Sequence, residues 1–236
     1  MSGRPHVPVR MLNLDQAHLA TDVTVVVDVL RAFSAEAFAF GSGAKEILAV
    51  ATVEEALAWK QKEPEVIVFG EVKGEPPPGF DLGNSPSQMA ERDLTGRRLV
   101  HRSSAGTQGV VNSASTRITL VASFAVARAT AQYLQSLAPR QVDFVITGSF
   151  QQYVGEDDLA CADYIAALFQ GEDPPPQIYL DRMYASRAGQ MFLDKGARHL
   201  WRRDLQYCVM VNHFPFAMRV DRRDGVCVVR RVEVGR

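Results

Sequence analysis

Short apolar runs rich in β-branched residues recur along the chain and alternate with segments of helical length. The runs predict strands at 7–12, 23–27, 46–50, 66–69, 98–101, 118–122 and 142–146, with a hairpin near 218–234. The segments between them predict helices at 33–42, 53–62, 84–93, 105–114, 124–138 and 156–170. This alternation is typical of an α/β fold in which helices cover both faces of a largely parallel sheet.

Two of the predicted strands, 23–27 and 142–146, are apolar at nearly every position. A half-exposed strand would alternate between polar and apolar residues, so we expect both to be central strands buried on both faces. Asp224-Gly225 between alternating residues predicts a hairpin turn. We expect one domain over 1–236, with the proline-rich stretch near 171–177 as the candidate seam between subdomains.

Composition and charge narrow the classes of function. The 236 residues are 47% hydrophobic and 22% charged, which is typical of a globular protein and not of a membrane-spanning one. With 26 basic and 27 acidic side chains the net charge is −1, so no overall field attracts nucleic acid or an anionic membrane. Any anion site must therefore be local. No apolar signal segment follows Met1, and we expect a cytoplasmic protein.

The chain has three cysteines, Cys161, Cys208 and Cys227. Their odd number and wide spacing support neither a disulfide framework nor a zinc site. We expect them to be buried, reduced thiols.

Charged and hydroxyl side chains directly follow several predicted strands. Asp28, Glu71, Ser103 and Thr147 occupy such positions. Because the carboxyl ends of parallel strands gather at one edge of a sheet, we expect these groups to converge there. Carboxylates, hydroxyls and a nearby arginine are the groups that bind a hard cation and a phosphate.

Three carboxylates are candidate ligands of Mg²⁺: Asp28, Glu71 and Asp158, with Asp81 in reserve. Mg²⁺ takes oxygen ligands and keeps several waters for substrate phosphate. Structural roles are the alternatives. Asp28 can cap the following helix, Glu71 can be a solvated loop acid, and Asp81 can form a turn.

The segment Ser103-Ser104-Ala105-Gly106-Thr107 begins a predicted helix directly after a strand. Amides and hydroxyls at this position can face an anion, although Ser and Thr are also ordinary helix caps. Arg31 offers a planar fork that matches phosphate oxygens; the alternative is a surface ion pair. The five histidines show no metal-binding spacing, and we expect structural roles for them.

Five segments together resemble the 2-phosphosulfolactate phosphatase (ComB) family. They are Asp28-Val29-Leu30-Arg31-Ala32, Gly70-Glu71, Gly79-Phe80-Asp81-Leu82-Gly83-Asn84-Ser85-Pro86, the turn ending in Gly106-Thr107, and Asp158 just before Leu159-Ala160-Cys161-Ala162. The resemblance extends from about Val23 to about Pro215.

The resemblance implies a ComB-like, three-layer α/β/α fold with a largely parallel or mixed sheet. It also implies a Mg²⁺-dependent acid phosphatase that releases phosphate from 2-phosphosulfolactate on the route to coenzyme M. We expect Asp28, Arg31, Glu71 and Asp158 to carry catalysis. We expect substrate binding by Asn84, Ser85, Ser103, Ser104, Gly106 and Thr107.

The chain departs from the family pattern at Val72, Ala105 and Asp163, where an arginine, an asparagine and a glycine are usual. Each change touches the presumed anion site, so we expect a weaker preference for the sulfonate-bearing substrate. Lys73 restores a positive charge but not the planar fork of the missing arginine.

The expected partner is a small phosphorylated acid, with no nucleic acid and no membrane, and a homo-oligomer is compatible with the sequence. The alternative function is a noncatalytic metabolite-binding module that retains the anion pocket. Nucleic-acid binding through the C-terminal arginines is less favoured, because acidic residues alternate with them. That pattern predicts a solvated hairpin or a subunit contact instead.

Overall fold

A computed structural model of the chain describes residues 7–113, 116–148, 154–194 and 199–235. Within these ranges, nine strands form one sheet: β1 (Val9–Asn13), β2 (Val23–Val27), β3 (Glu46–Ala49), β4 (Ile67–Gly70), β5 (Arg98–Arg102), β6 (Ile118–Ala122), β7 (Val142–Ile146), β8 (Phe216–Arg223) and β9 (Val226–Glu233). The predicted α/β class is confirmed.

The helices of the described ranges are α1 (Ala32–Gly41), α2 (Val53–Lys62), α3 (Pro86–Ala90), α4 (Gly106–Asn112), α5 (Ala127–Leu137), α6 (Glu156–Phe169), α7 (Gln177–Ala185), α8 (Arg187–Leu193) and α9 (His199–Cys208). Short 3₁₀ helices lie at Leu14–Leu19 and Phe124–Val126. α3 is shorter than its predicted 84–93 because it begins only at Pro86 and already ends at Ala90. None of the described helices is both long and apolar enough to span a membrane.

The sheet has the order β1-β7-β2-β6-β8-β9-β3-β5-β4. One parallel group contains β1, β7, β2 and β6, and the other contains β3, β5 and β4. Three antiparallel pairings, β6 with β8, β8 with β9 and β9 with β3, separate the groups. The two groups therefore run in opposite directions, and the expectation of one common edge is wrong. Asp28, Glu71 and Thr147 nevertheless line two adjoining cavities, as described below.

The C-terminal hairpin lies inside the sheet and not at its margin. Val220 of β8 is opposite Thr119 of β6, and Val229 of β9 is opposite Ile47 of β3. The prediction of a solvated hairpin is wrong, because much of its apolar face is fully buried between the two groups. Several of its arginines pair with acids in the described structure: Arg219 with Asp221, Arg230 with Asp221 and Glu46, and Arg231 with Glu233.

Residues that follow strands of the two groups meet at the buried centre of the fold. β2 and β7 are buried at all five positions, as predicted, and α1 is buried from Ala32 to Phe40. β2 and β5 are five places apart in the sheet, about 24 Å if it were flat. Nevertheless, a Cβ built on Gly106, just after β5, would lie 2.8 Å from the Oδ2 of Asp28, just after β2. The chain that follows β5 therefore reaches the end of β2 at Gly106.

All three cysteines are buried and free, as predicted from their spacing.

Candidate active site

Two adjoining cavities of about 300 and 260 Å³ open where β2 ends. They share a wall formed by Asp28, Leu30, Ala105, Ala188 and Met191. We call the first the Asp158 cavity, which is also lined by Thr147, Gly148, Asp157 and Asp158. We call the second the Arg31 cavity, which is also lined by Arg31, Glu71, Lys73, Asn84 and Phe192.

Asp28 belongs to both cavities. Its Oδ1 accepts a hydrogen bond from the backbone N–H of Ala32, the first residue of α1, at 2.9 Å, although the N-cap position of α1 is Arg31. Its Oδ2 faces Gly106, where a side chain would collide with Asp28 and with Ala32. Burial, together with repulsion by Glu71, raises the pKa of Asp28 to about 6.

Asp158, in the first turn of α6, ties the loop after β2 to the end of β7. Its Oδ1 accepts from the N–H of Val29 at 2.7 Å, and its Oδ2 accepts from the N–H of Gly148 at 2.8 Å. Burial and the neighbouring charges of Asp157 and Asp28 raise the pKa of Asp158 well above its usual value.

Asp157 lines the same cavity, and sequence reasoning missed it. Burial and the charge of Asp28 raise the pKa of Asp157 to about 6. The sequence signal was the acidic run Glu156-Asp157-Asp158. Acids in a first helical turn are also ordinary partners of the helix dipole, so the run alone does not indicate a site.

The raised pKa of Asp157 predicts that this residue destabilises the protein at alkaline pH. A carboxyl with a folded pKa above its unfolded value binds more protons in the folded state. The stability that this proton binding provides is lost as pH rises through the folded pKa. We expect Asp157→Asn to raise the free energy of unfolding at pH 8 by on the order of 1–2 kcal/mol, and by much less at pH 4. Urea unfolding at the two pH values measures this difference.

Asp22→Asn is the control with the opposite sign. The hydrogen bond from Arg117 lowers the pKa of Asp22, so its stabilisation is present above the unfolded pKa and is lost in acid. We expect this variant to be less stable than the wild type at pH 8. An Asp157→Asn effect of equal size at pH 4 and pH 8 would contradict the assignment.

Arg31 lines the Arg31 cavity and is only 8% exposed. Its Nη1 donates to Oδ2 of Asp204 at 2.5 Å, and its Nη2 donates to the carbonyl of Gly74 at 3.4 Å. The guanidinium carbon lies 5.7 Å from the ring centroid of Phe192. The ion pair of Arg31 is therefore buried and is not the surface pair that was the alternative.

Glu71 lines the Arg31 cavity while connecting two loops. Its Oε1 accepts from the N–H of Ser104 at 2.5 Å, and its Oε2 accepts from the N–H of Gly74 at 2.7 Å. Glu71 is half-buried and hydrogen-bonded, so it is not a freely solvated loop acid. Its role as a metal ligand stays a prediction.

Ser103 and Thr107 hydrogen-bond to each other around the turn before α4. The Oγ of Ser103 accepts from the N–H of Thr107 at 2.9 Å, and the Oγ1 of Thr107 accepts from the N–H of Ser103 at 3.0 Å. Both are buried, whereas the N-cap position of α4 is Ala105, which makes no side-chain capping hydrogen bond. Ala105 is the residue of the 103–107 turn that lines the two cavities.

Three further predicted residues, Asn84, Ser85 and Asp81, lie in the loop before α3 and make different contacts. Asn84 lines the Arg31 cavity, is 4% exposed, and its Oδ1 has no hydrogen-bond partner in the described part of the chain. Ser85 instead donates to Asp204 at 2.6 Å. Asp81 accepts from the N–H of Val68 at 2.8 Å and pairs with Lys60, so it stabilises the turn beside β4.

Comparison with known proteins shows the family of the chain. The family model of 2-phosphosulpholactate phosphatase matches residues 11–222. This chain belongs to the 2-phosphosulfolactate phosphatase family. The resemblance seen in the motifs is confirmed, and the family is one of phosphatases.

Curated relatives support the same assignment. A protein of Bacillus subtilis (strain 168) named probable 2-phosphosulfolactate phosphatase is 32% identical over 212 residues, 89% of this chain and 92% of the relative. A relative of the same name from Deinococcus radiodurans is 36% identical over 159 residues, 64% of this chain and 66% of the relative. Another from Thermus thermophilus is 36% identical over 162 residues, 67% of each chain.

Two of the three departures from the 2-phosphosulfolactate phosphatase pattern, Val72 and Asp163, do not line either cavity. Asp163 accepts a hydrogen bond from Arg182 at 2.7 Å, which neutralises its added charge. Val72 pairs through its backbone with Glu75. The expectation that each departure touches the anion site is therefore wrong for these two positions, while Ala105 lies on the shared wall.

Proposed function

We propose that this chain hydrolyses 2-phosphosulfolactate to sulfolactate and phosphate. The observation that carries the proposal is the pair of adjoining cavities around Asp28, one rich in buried carboxylates and the other containing Arg31. Their volumes suit a small molecule, and their different chemistry suits a substrate with two anionic ends. The names of the curated relatives support the same substrate.

Within this proposal Arg31 holds anionic oxygens of the substrate. The guanidinium has five N–H donors, of which the contacts with Asp204 and Gly74 described above use two, and a buried position strengthens its attraction for an anion because little water screens it. Asn84 offers a side-chain amide in the same cavity, and Lys73 adds a positive charge at its edge. These groups would also stabilise charge on the phosphoryl oxygens as the ester bond breaks.

We further propose that Asp28 and Asp158 hold Mg²⁺, with Glu71 near it across the shared wall. Among the described residues no group of three or more His, Cys, Asp or Glu side chains is placed to hold a metal ion. Protein sites for Mg²⁺ commonly use one or two carboxylates plus substrate phosphate, and the buried oxygens of this cavity fit that chemistry. A bound Mg²⁺ supplies polarisation of the phosphoryl group and activation of water.

Phosphate release from 2-phosphosulfolactate tests the proposed function, measured with Mg²⁺ and again with EDTA. We expect release with Mg²⁺ and its loss with EDTA. Binding of the compound without phosphate release would favour the metabolite-binding module. Release that is equally fast with EDTA would contradict the Mg²⁺ proposal and leave the phosphatase proposal intact.

Ala105 is expected to set the preference between the sulfonate-bearing substrate and phospholactate. Ala105→Asn supplies a side-chain amide on the shared wall, and we expect the ratio of the two kcat/KM values to shift about 3–10-fold toward 2-phosphosulfolactate. Asn is a favourable N-cap residue, so α4 should tolerate it. Asp163→Asn is the matched control and should leave the ratio unchanged. An equal shift in both variants would contradict a role of Ala105 in selectivity.

A further inference from the structure

We propose that Asp204, on α9, is the positioning residue that holds the Arg31 guanidinium at the Arg31 cavity. This inference rests on the proposed function, in which Arg31 binds an anionic group of the substrate. Asp204 lies outside every motif that the sequence analysis used. It is 173 residues away from Arg31 in the chain.

The contacts of Asp204 leave its carboxylate little freedom. The residue is fully buried, and Oδ2 accepts from Nη1 of Arg31 at 2.5 Å. Oδ1 accepts from the hydroxyls of Ser85 and Ser87, both at 2.6 Å, and from the N–H of Ser87 at 3.2 Å. Four donors on two oxygens use nearly all the acceptor capacity of a carboxylate, so its orientation is fixed.

Arg31 is held from other directions as well. Phe192 on α8 packs against the guanidinium, and the carbonyl of Gly74 accepts from Nη2. A guanidinium binds oxygens through a planar fork, so a rotation of that plane weakens two hydrogen bonds at once. The pair with Asp204 fixes this plane relative to the cavity.

The network also gives Ser85 a role different from the predicted one. Ser85 and Ser87 hold Asp204 at the start of α3, and Asp204 holds Arg31. The segment Gly79–Pro86 therefore acts on the cavity in two ways, directly through Asn84 and through Asp204.

The test is steady-state kinetics of Asp204→Asn and Ser87→Ala. We expect Asp204→Asn to raise KM for 2-phosphosulfolactate about 10–100-fold and to lower kcat by a smaller factor, because Arg31 also stabilises charge as the ester bond breaks. Ser87→Ala removes one donor without unbalancing a buried charge, and we expect KM to rise about 3–10-fold. Ser87→Ala decides the outcome where Asp204→Asn does not fold.

Two controls separate positioning from general stability. Asp143→Asn removes the charge of another buried aspartate paired with an arginine, Arg10, and is expected to leave KM unchanged. Ser113→Ala removes a buried hydroxyl that donates to the carbonyl of Gly109, and is also expected to leave KM unchanged.

A double-mutant cycle with Arg31→Lys shows whether Asp204 acts through Arg31. We expect Ser87→Ala and Asp204→Asn to lower kcat/KM less than about twofold further in the Arg31→Lys background. Independent, multiplicative losses would overturn the inference, and so would an unchanged KM in Ser87→Ala.

The role of Asp204 can also be tested if the protein does not hydrolyse 2-phosphosulfolactate. If the wild type releases no phosphate from 2-phosphosulfolactate, binding of inorganic phosphate to the wild type and Ser87→Ala is compared by calorimetry. Weaker binding in the variant supports the role of Asp204. Equal binding, or none to either protein, overturns it.

Discussion

Asp28→Asn is expected to lower kcat/KM for 2-phosphosulfolactate by about 10³-fold while leaving the protein at least as stable as the wild type at pH 8. Asp28 lies on the wall shared by both cavities, so its charge faces every group bound there. Asparagine keeps the shape and the oxygen that accepts from Ala32, but it loses the charge. Since burial already disfavours the ionised carboxyl, removing that charge does not cost stability.

Kinetics with 2-phosphosulfolactate and urea unfolding at pH 8 check this expectation together. Asp143→Asn is the control with the reverse outcome. The hydrogen bond from Arg10 lowers the pKa of Asp143 despite burial, so the variant should lose stability and keep its activity. Turnover like that of the wild type in Asp28→Asn, with normal Mg²⁺ dependence, would refute the assignment of Asp28.

Arg31→Lys is expected to lower kcat/KM by about 10²-fold although the positive charge is kept. Lysine cannot present two parallel donors to an anion, and it also cannot keep both contacts that Arg31 makes with Asp204 and the carbonyl of Gly74. The loss should therefore be large for a substitution that is usually called conservative.

The control for Arg31→Lys is Arg10→Lys. Arg10 binds Asp143 through two hydrogen bonds, from Nε and Nη2, and it lies outside both cavities. We expect Arg10→Lys to lose stability and to retain kcat/KM. Full activity of Arg31→Lys would mean that Arg31 supports the fold without binding substrate.

The sequence predicted best those elements whose signal is local. The strands Val23–Val27, Ile118–Ala122 and Val142–Ile146 and the helix Val53–Lys62 have the predicted bounds. Each is an apolar run or a capped amphipathic segment whose pattern does not depend on distant residues.

Strand order and the hydroxyl roles were harder to predict because they depend on contacts between distant segments. Alternation in 218–234 indicates strands but not which strands they pair with, so the position of the hairpin inside the sheet had no local signal. Ser103 and Thr107 have the residue types of both a cap and an anion site, and the sequence does not show that they hydrogen-bond to each other. Asp204 belongs to no recognised sequence motif, and its contacts with Ser85 and Ser87 form only in the folded protein.

The hairpin inside the sheet has a consequence for the order in which the protein assembles. The shared wall combines Asp28, which follows β2, with Ala105, which follows β5, and these strands lie on opposite sides of β8 and β9. The two parallel groups become one sheet only after Phe216–Glu233 has paired with both. Pairing between such distant segments closes long loops and is slow compared with helix formation. During refolding, recovery of the far-ultraviolet circular dichroism of the helices should therefore precede recovery of ligand binding. In a partly folded chain, Asp28 and Ala105 would not yet lie on a common wall.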